Sequence, residues 1–152
     1  MSAWQLDPRL ARDSVELGEQ GSIQIRAMPA APWPWLILVP RLPGAVELFD
    51  LPEPDRQDLF ELTMRLAAGL KQEFAADKIN IGAIGNVVAQ LHVHLVARHQ
   101  GDAAWPAPVW GQSYPPADEP AQAQRLRRLG RLLGRSSAVQ QRLVLMSSCC
   151  AS

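Results

Sequence analysis

Two closely spaced histidines are the residues of this 152-residue chain best suited to chemistry. Gln90, His92 and His94 alternate with apolar residues, and alternating side chains of a β-strand share one face. Histidine titrates near neutral pH, binds metals and attacks electrophiles as a neutral imidazole. A strand that presents two imidazoles on one face therefore indicates a catalytic or metal-binding site, although such histidines also occur as solvated surface residues or satisfied core residues.

Two kinds of chemistry fit this pair. His92 and His94 could bind zinc or iron with His99 as the third ligand, since a catalytic zinc needs three protein ligands. Gln90 is a poor ligand for such metals. Alternatively, a neutral imidazole attacks phosphorus and forms a covalent phosphoramidate, while the second imidazole binds phosphate oxygens or carries a proton. The two residues alone leave both possibilities open.

The surrounding pattern predicts the elements that position the histidines. Leucines recur at helical spacing over 55–75, and acidic residues stand at the start of this range, so a long amphipathic helix is predicted there. Short apolar or alternating runs predict strands over 22–26, 35–39, 78–84 and 91–97. The Gly85-Asn86 turn favours antiparallel pairing of the last two strands. We therefore expect an α+β domain in which one face of an antiparallel sheet is covered by the long helix.

Charge is unevenly distributed along the chain although the net charge is zero. Residues 1–119 hold 15 acidic and 9 basic residues, a net charge of −6, and residues 120–152 hold six arginines and no acid. We expect the first range to form the domain, and the second to form an additional helix over 120–135 followed by a flexible tail. The helix carries Arg125, Arg127, Arg128, Arg131 and Arg135. Arginines between leucines are typical of a solvated helix face, although such a face could also bind an acidic partner or a polyphosphate.

Composition also bounds the compartment and the partners. The two cysteines, Cys149 and Cys150, are adjacent and fit no zinc motif, which indicates a reducing cytoplasm. We expect no signal peptide and no membrane span, because no apolar run is long enough for either. The balanced charge argues against a nucleic-acid partner. Trp105 and Trp110 lie in a proline-rich loop and are expected to cover the core beside the sheet, although an indole could also stack on a purine or close over the site.

The segment around the histidines resembles a known family signature. Gln90-Leu91-His92-Val93-His94-Leu95-Val96, followed by Arg98 and Gly101-Asp102, is similar to the histidine-triad (HIT) motif His-φ-His-φ-His-φ-φ, in which φ is apolar. The order of elements over 22–102 resembles the same family. The resemblance implies the HIT fold, a homodimer and a small-molecule nucleotide as partner. It also implies nucleotide hydrolase or nucleotidyl transferase activity on a nucleoside polyphosphate, such as a dinucleoside polyphosphate, or on a phosphoramidate.

The resemblance implies a role for each matching residue. His92 matches the histidine that attacks the α-phosphate and becomes nucleotidylated, and His94 matches the third histidine, which contacts the phosphate. Substrate-binding residues are expected at Asn80, Gly85, Asn86 and Arg98. The family chemistry requires no cofactor and no protein-bound metal, and Mg²⁺ would arrive only with a polyphosphate substrate.

Three positions depart from the family pattern. Gln90 replaces the first histidine of the triad. We expect it to form the catalytic group with His92 and His94, although glutamine cannot titrate. Val87 stands where the family has Ser or Thr, and the loop over 27–31 lacks the Asn or Asp expected beside a ribose. A nucleotide-binding module with weak or no catalysis is therefore the alternative to an enzyme, and a metal-binding protein that uses His92 and His94 is the second alternative.

Overall fold

The computed structural model describes residues 3–134, which form a five-stranded antiparallel sheet with helices on both sides. The strands are β1 (Val15–Gln20), β2 (Ile23–Ala27), β3 (Trp35–Pro40), β4 (Lys78–Gly82) and β5 (Val93–Arg98). The helices are α1 (Pro8–Asp13), α2 (Glu53–Glu73) and α3 (Glu119–Arg131), and a 3-10 turn occupies Leu48–Asp50. The strand order β1-β2-β3-β5-β4 places β5 between β3 and β4. The predicted α+β antiparallel fold is confirmed.

One face of the sheet packs against α2, as the leucine spacing predicts. Leu62, Leu66 and Leu70 are each at most 1% exposed and belong to the cluster that joins α2 to the sheet. The helix begins two residues earlier than predicted, at Glu53, because Pro54 fits the first turn, where no N–H bond is needed. Burial of this leucine stripe is the main contact that fixes α2 on the sheet.

The opposite face of the sheet is also covered, which corrects the expectation of a sheet covered on one face. Leu10 of α1, Trp33 and Val109 pack against Ile37 and other apolar side chains of this face. Because of this cover, His92 is only 6% exposed and His94 only 8%. The two imidazoles therefore lie in a partly enclosed space and not on an open surface.

The sequence pattern does not predict α1 or β1. β1 is an edge strand with a polar outer half, and its register shifts between Glu16 and Gly18, which disrupts the alternation that identifies a strand. α1 has only six residues, too few to show a helical period, and is capped by the Asp7 side chain. Of these two elements, α1 forms part of the wall beside the histidines.

α3 packs on the same core as α2. Leu126 and Leu129 are buried in the cluster that also contains the α2 leucines. The expectation of a solvated basic face is wrong for two of its arginines: Arg125 donates to backbone carbonyls of 29–32, and the half-buried Arg128 bonds Glu73. Arg131 also bonds Glu73, but its side chain is 63% exposed, as expected. Arg135 and the predicted tail lie outside the described residues. None of the helices described is long and apolar enough to cross a membrane.

Candidate functional site

The two histidines lie together at the start of β5, as predicted. The strand begins at Val93, so His92 immediately precedes it and His94 is its second residue. The imidazole centroids are 4.7 Å apart, and the ring planes are inclined by 72°. The predicted strand over 91–97 begins too early, so the shared-face argument does not extend to Gln90.

The backbone sets the tautomer of His92. The carbonyl oxygen of Gln90 lies 2.7 Å from His92 Nδ1. A carbonyl oxygen can only accept, so Nδ1 carries the proton and donates it to this bond. In the neutral ring, Nε2 is then left with a free lone pair. This is the tautomer that a nucleophilic histidine requires, because the lone pair makes the bond to the electrophile.

A tryptophan sets the opposite tautomer at His94. Trp35 Nε1–H donates to His94 Nδ1 over 2.9 Å, and an indole nitrogen can only donate. His94 Nδ1 is therefore the acceptor, and the proton of the neutral ring lies on Nε2. Burial, and to a smaller extent the neighbouring His92, lowers the pKa of His94 from 6.5 to about 3. At neutral pH, His94 is thus an uncharged N–H donor beside the lone pair of His92.

Both histidines line a cleft of about 550 Å³ with largely apolar walls. Trp110 forms one wall, with its ring centroid 5.6 Å from that of His94. Trp105 lies elsewhere, with the Arg98 guanidinium carbon 5.6 Å from its ring centroid. Trp110 packs against the apolar cluster on the face of the sheet opposite α2, as expected, and also faces the site. Trp105 lies over the buried Arg98 and belongs to neither apolar cluster of the described residues.

Gly85 and Asn86, two of the predicted substrate-binding residues, line the cleft beside the histidines. Gly85 has φ of +67°, a left-handed conformation that glycine adopts without the cost a side chain would bring. Asn86 is exposed, and the neighbouring Val87 side chain is 79% exposed. The loop between β4 and β5 thus presents backbone and amide groups at the rim of the cleft.

Asn80 and Arg98, the other two predicted substrate-binding residues, do not line the cleft. Arg98 is 1% exposed and donates to both carboxylate oxygens of Asp102, at 2.7 and 2.9 Å. Its Nη1 donates to Asn80 Oδ1 at 2.9 Å. The Arg98 guanidinium also holds the pKa of Asp102 well below its usual range. The structure places these residues in an internal network that braces β4, β5 and the loop after β5.

The side chain of Gln90 turns away from the histidines toward the N-terminal segment. Its Oε1 accepts from the backbone N–H of Asp7 at 2.9 Å, and its Nε2 donates to the carbonyl of Gln5 at 2.8 Å. Gln90 is not among the residues that line the cleft of the histidines. Its backbone carbonyl holds His92, and Gln90 lines a smaller adjoining pocket of about 110 Å³ with His92, Gly85 and Asn86.

Arg9 lines the cleft and is missed by the sequence analysis. Among residues 3–134 it is the one lysine or arginine on this wall. The segment that carries Arg9 is held beside the site by the bond between Asp7 and Gln90, which lie 83 positions apart in the sequence. A contact between segments so far apart leaves no local periodicity, so only the three-dimensional structure reveals it.

The three-histidine metal site is not formed. His99 Nε2 lies 2.9 Å from the carbonyl oxygen of Phe74, at the end of α2 and outside the cleft. Within residues 3–134, no group of three His, Cys, Asp or Glu side chains is placed to hold a metal ion. The expectation of His99 as a third ligand to His92 and His94 is therefore wrong.

Comparisons with known proteins agree with the geometry. The family model of the HIT domain matches residues 12–101. The structure is similar to a histidine triad (HIT) protein from Sinorhizobium meliloti 1021, with 46% identity over 83% of this chain and 94% of that chain, and a TM-score of 0.78. A histidine triad protein from Bradyrhizobium japonicum is 42% identical over 86% and 97% of the two chains, with a TM-score of 0.79. One from Marinobacter aquaeolei VT8 is 43% identical over 87% and 97%, with a TM-score of 0.81. A comparison with curated proteins gave no match.

Proposed function

The chain belongs to the HIT domain family, and on that premise we propose that it is a nucleotide hydrolase or nucleotidyl transferase that works through a nucleotidyl intermediate on His92. One observation carries the proposal. The tautomers of His92 and His94 are set in opposite senses, so that a lone pair and an N–H donor occur side by side in one cleft. A nucleophile beside a donor for phosphate oxygens is the minimum needed for phosphoryl chemistry.

In the first step, His92 Nε2 attacks the α-phosphorus of the nucleotide. The new P–N bond forms as the bond from phosphorus to the leaving group breaks, and that group takes the bonding electron pair. The ring gains positive charge in this step, and its Nδ1–H bond to the Gln90 carbonyl becomes stronger. The His94 Nε2–H donates to a phosphate oxygen, where negative charge develops.

In the second step, a nucleophilic oxygen attacks the phosphorus and breaks its covalent bond to His92. Water attacks the phosphorus, a P–O bond forms, and the electron pair of the P–N bond returns to His92 Nε2. The proton of the water passes to solvent, and the nucleoside monophosphate leaves. An alcohol or phosphate in place of water gives nucleotidyl transfer. No cofactor takes part in either step, and Mg²⁺ would enter only as the counter-ion of a polyphosphate.

A nucleotide-binding module with weak catalysis is the second candidate. Gln90 has no titratable group, and burial keeps the pKa of His94 at about 3, so neither residue can protonate a basic leaving group near neutral pH. Substrates whose leaving group needs a proton would then react slowly. This observation favours either slow turnover or substrates with leaving groups that are stable as anions.

Turnover of a fluorogenic AMP-amidate and of radiolabelled diadenosine polyphosphate tests the proposal. We expect the wild type to release AMP and to form an acid-labile adduct on His92, and the His92→Ala variant to do neither. His99→Ala is the matched control, because this imidazole lies outside the cleft. Equal turnover in wild type and His92→Ala would refute the nucleophile. Nucleotide binding without turnover or adduct would select the binding module.

We also propose a homodimer. β4 is an edge strand, and its Ile81 side chain is 43% exposed, while Phe60 and Met64 on the outer side of α2 are 61% and 40% exposed. Exposed apolar residues of this size favour an interface. Sedimentation equilibrium of the wild type should give twice the mass of one chain, and Phe60→Glu together with Ile81→Glu should give a monomer. A monomeric wild type would refute this proposal.

A further inference from the structure

We propose that the N-terminal strap, defined as residues 3–13, is a substrate-binding element in which Arg9 binds an anionic group next to the transferred phosphoryl group and Gln90 positions the strap. The inference rests on the proposed function of the cleft and narrows its substrate class. It assigns a role to the residue that replaces the first triad histidine. It also identifies a binding residue that lies before the region matched by the family model.

Gln90 connects the N-terminal strap to His92, the proposed nucleophile. Its carboxamide pairs with the carbonyl of Gln5 and the N–H of Asp7, the two backbone groups that one extended segment presents on the same side. The carbonyl of the same residue holds His92 Nδ1. The oxygen and nitrogen of a carboxamide project side by side, whereas the two nitrogens of an imidazole diverge, so glutamine suits this pairing better than histidine. One residue thus fixes the strap and the nucleophile relative to each other.

Arg9 is held rigidly and still has donors to offer. Its Nε and Nη2 bond the two carboxylate oxygens of Asp7 at 3.0 and 2.8 Å, and its Nη1 bonds the carbonyl of Val87 at 2.7 Å. A guanidinium has five N–H groups, so these three bonds leave one on each Nη. The side chain is 47% exposed and lines the cleft. Two fixed N–H groups at the rim can therefore reach a ligand without a further loss of side-chain freedom.

Arg9 is the basic side chain of the cleft wall in the described part of the chain. Asp7 pairs with it, so Arg9 offers an anion two free N–H groups and not a net positive charge. Within the described part of the chain, the charged residues on the wall are Arg9 and Asp13, apart from the histidines. Asp13 is already paired with Arg12, which does not line the cleft. The bond from Arg9 to Val87 places the guanidinium next to Asn86, on the loop that carries the candidate phosphate-binding groups. A second anionic group of the substrate would meet Arg9 there.

The chemistry of the leaving group leads to the same substrate class. His94 Nδ1 accepts the hydrogen bond from Trp35, so it cannot also bind a proton, and Gln90 cannot titrate. The site therefore suits a leaving group that departs as a stable anion with the electron pair of the broken P–O bond. A phosphate group bonded to the α-phosphorus meets this need, and Arg9 would stabilise its charge. We therefore assign nucleoside di- and polyphosphates, rather than phosphoramidates, as the substrate class.

Calorimetric binding of ADP and AMP tests the role of Arg9, since the two ligands differ by one phosphate. The wild type should bind ADP about three to ten times more tightly than AMP, the range of a partly exposed charge-assisted contact. Arg9→Ala should abolish this preference, and Arg9→Lys should retain part of it. Arg41→Ala is the control, because this partly exposed, ion-paired arginine does not line the cleft, and it should keep the full preference. An unchanged ratio of ADP to AMP affinity in Arg9→Ala would overturn the inference.

Hydrogen exchange tests the clamp independently of activity. In Gln90→Ala the backbone amide of Asp7 loses its acceptor, so it should exchange faster than in the wild type, and the preference for ADP should fall. Unchanged protection of this amide and an unchanged preference would refute the role of Gln90. We expect the wild type to turn over diadenosine polyphosphate faster than AMP-amidate. Equal turnover of the two, or an ADP preference that Arg9→Ala keeps, overturns the inference and leaves the proposed function standing. A wild type that binds neither nucleotide refutes both.

Discussion

Trp35 holds His94 in its neutral form, so replacing Trp35 with Phe should let His94 bind a proton more readily. In the wild type, a proton on His94 Nδ1 would face the indole N–H over 2.9 Å, and the hydrogen bond would be lost. Phenylalanine keeps an aromatic ring in the buried position and removes the donor. A hydrogen bond of about 1 kcal/mol corresponds to roughly one pH unit, so the titration midpoint of His94 should move up by about that much.

The same argument predicts how stability depends on pH. Burial and the neighbouring His92 lower the pKa of His94 in the folded protein from 6.5 to about 3. Between these values the unfolded chain binds a proton that the folded chain excludes, so the free energy of unfolding decreases as the pH falls. The decrease is at most about 1.4 kcal/mol per pH unit, or roughly 3 kcal/mol from pH 6.5 to 4.5. Arg9 lowers the pKa of Asp7 from 3.8 to about 2, so Asp7 becomes protonated only below pH 4.5 and does not contribute to this change in stability.

Two measurements check the reasoning. Long-range nitrogen–proton correlation spectra of ¹⁵N-labelled protein should show the His94 proton on Nε2 at pH 7, with no titration above pH 4.5. Urea unfolding at pH 6.5 and 4.5 should show the loss of stability in the wild type and a smaller loss in His94→Gln. A His94 that titrates near pH 6.5 would refute the account. So would a free energy of unfolding that, in both the wild type and His94→Gln, does not change between pH 6.5 and pH 4.5.

Two further predictions concern the framework of the site, and both are measured by denaturant unfolding. Asp102→Ala leaves the 1% exposed Arg98 without its carboxylate and should cost about 3–5 kcal/mol, whereas Glu19→Ala, which breaks an exposed pair, should cost less than about 1 kcal/mol. Leu66→Ala opens a cavity under α2 and should cost about 2–5 kcal/mol. Leu48→Ala, at a side chain that is 43% exposed, should cost far less, and equal losses for the two would contradict the packing described.

The parts of the fold that follow from the sequence are those whose own pattern determines their burial. The leucine stripe of α2 and the apolar run of β3 each bury a face that is visible in a few consecutive residues. The pairing of β4 with β5 also agrees with the expectation from the turn signal, although the connection is a loop from 83 to 92 and not a tight hairpin. Local periodicity therefore predicts the central elements of the sheet and its long helix.

The candidate site is predictable only where its residues are neighbours in the chain. His92 and His94 sit two residues apart, and their meeting in one cleft follows from that spacing. The roles of Arg98 and Gln90 depend on partners that spacing cannot indicate. Arg98 is a charged residue on a buried strand, and its neutralisation requires Asp102 to fold back from the following loop. The contact of Gln90 with the N-terminal strap has no local signal.

Net charge counted from the sequence overstates the charge available to a substrate. Three arginines in the described part of the chain illustrate the point: Arg26 bonds Ser14 and Gln24, Arg98 bonds Asp102, and Arg125 bonds backbone carbonyls. Asp102 neutralises Arg98, whereas Arg26 and Arg125 keep their charge. None of the three lines the cleft, and their N–H groups are used to brace the structure.

What remains at the cleft is His92, the neutral imidazole of His94 and Arg9 at the rim. Such a site captures a nucleotide through short-range donors, because one partly neutralised guanidinium attracts a polyanion only weakly at a distance. Affinity should therefore depend on the fit of one phosphate to Arg9 and vary little with ionic strength. A site that relied on a cluster of cations would instead lose affinity steeply as salt rises, since each exposed contact is screened.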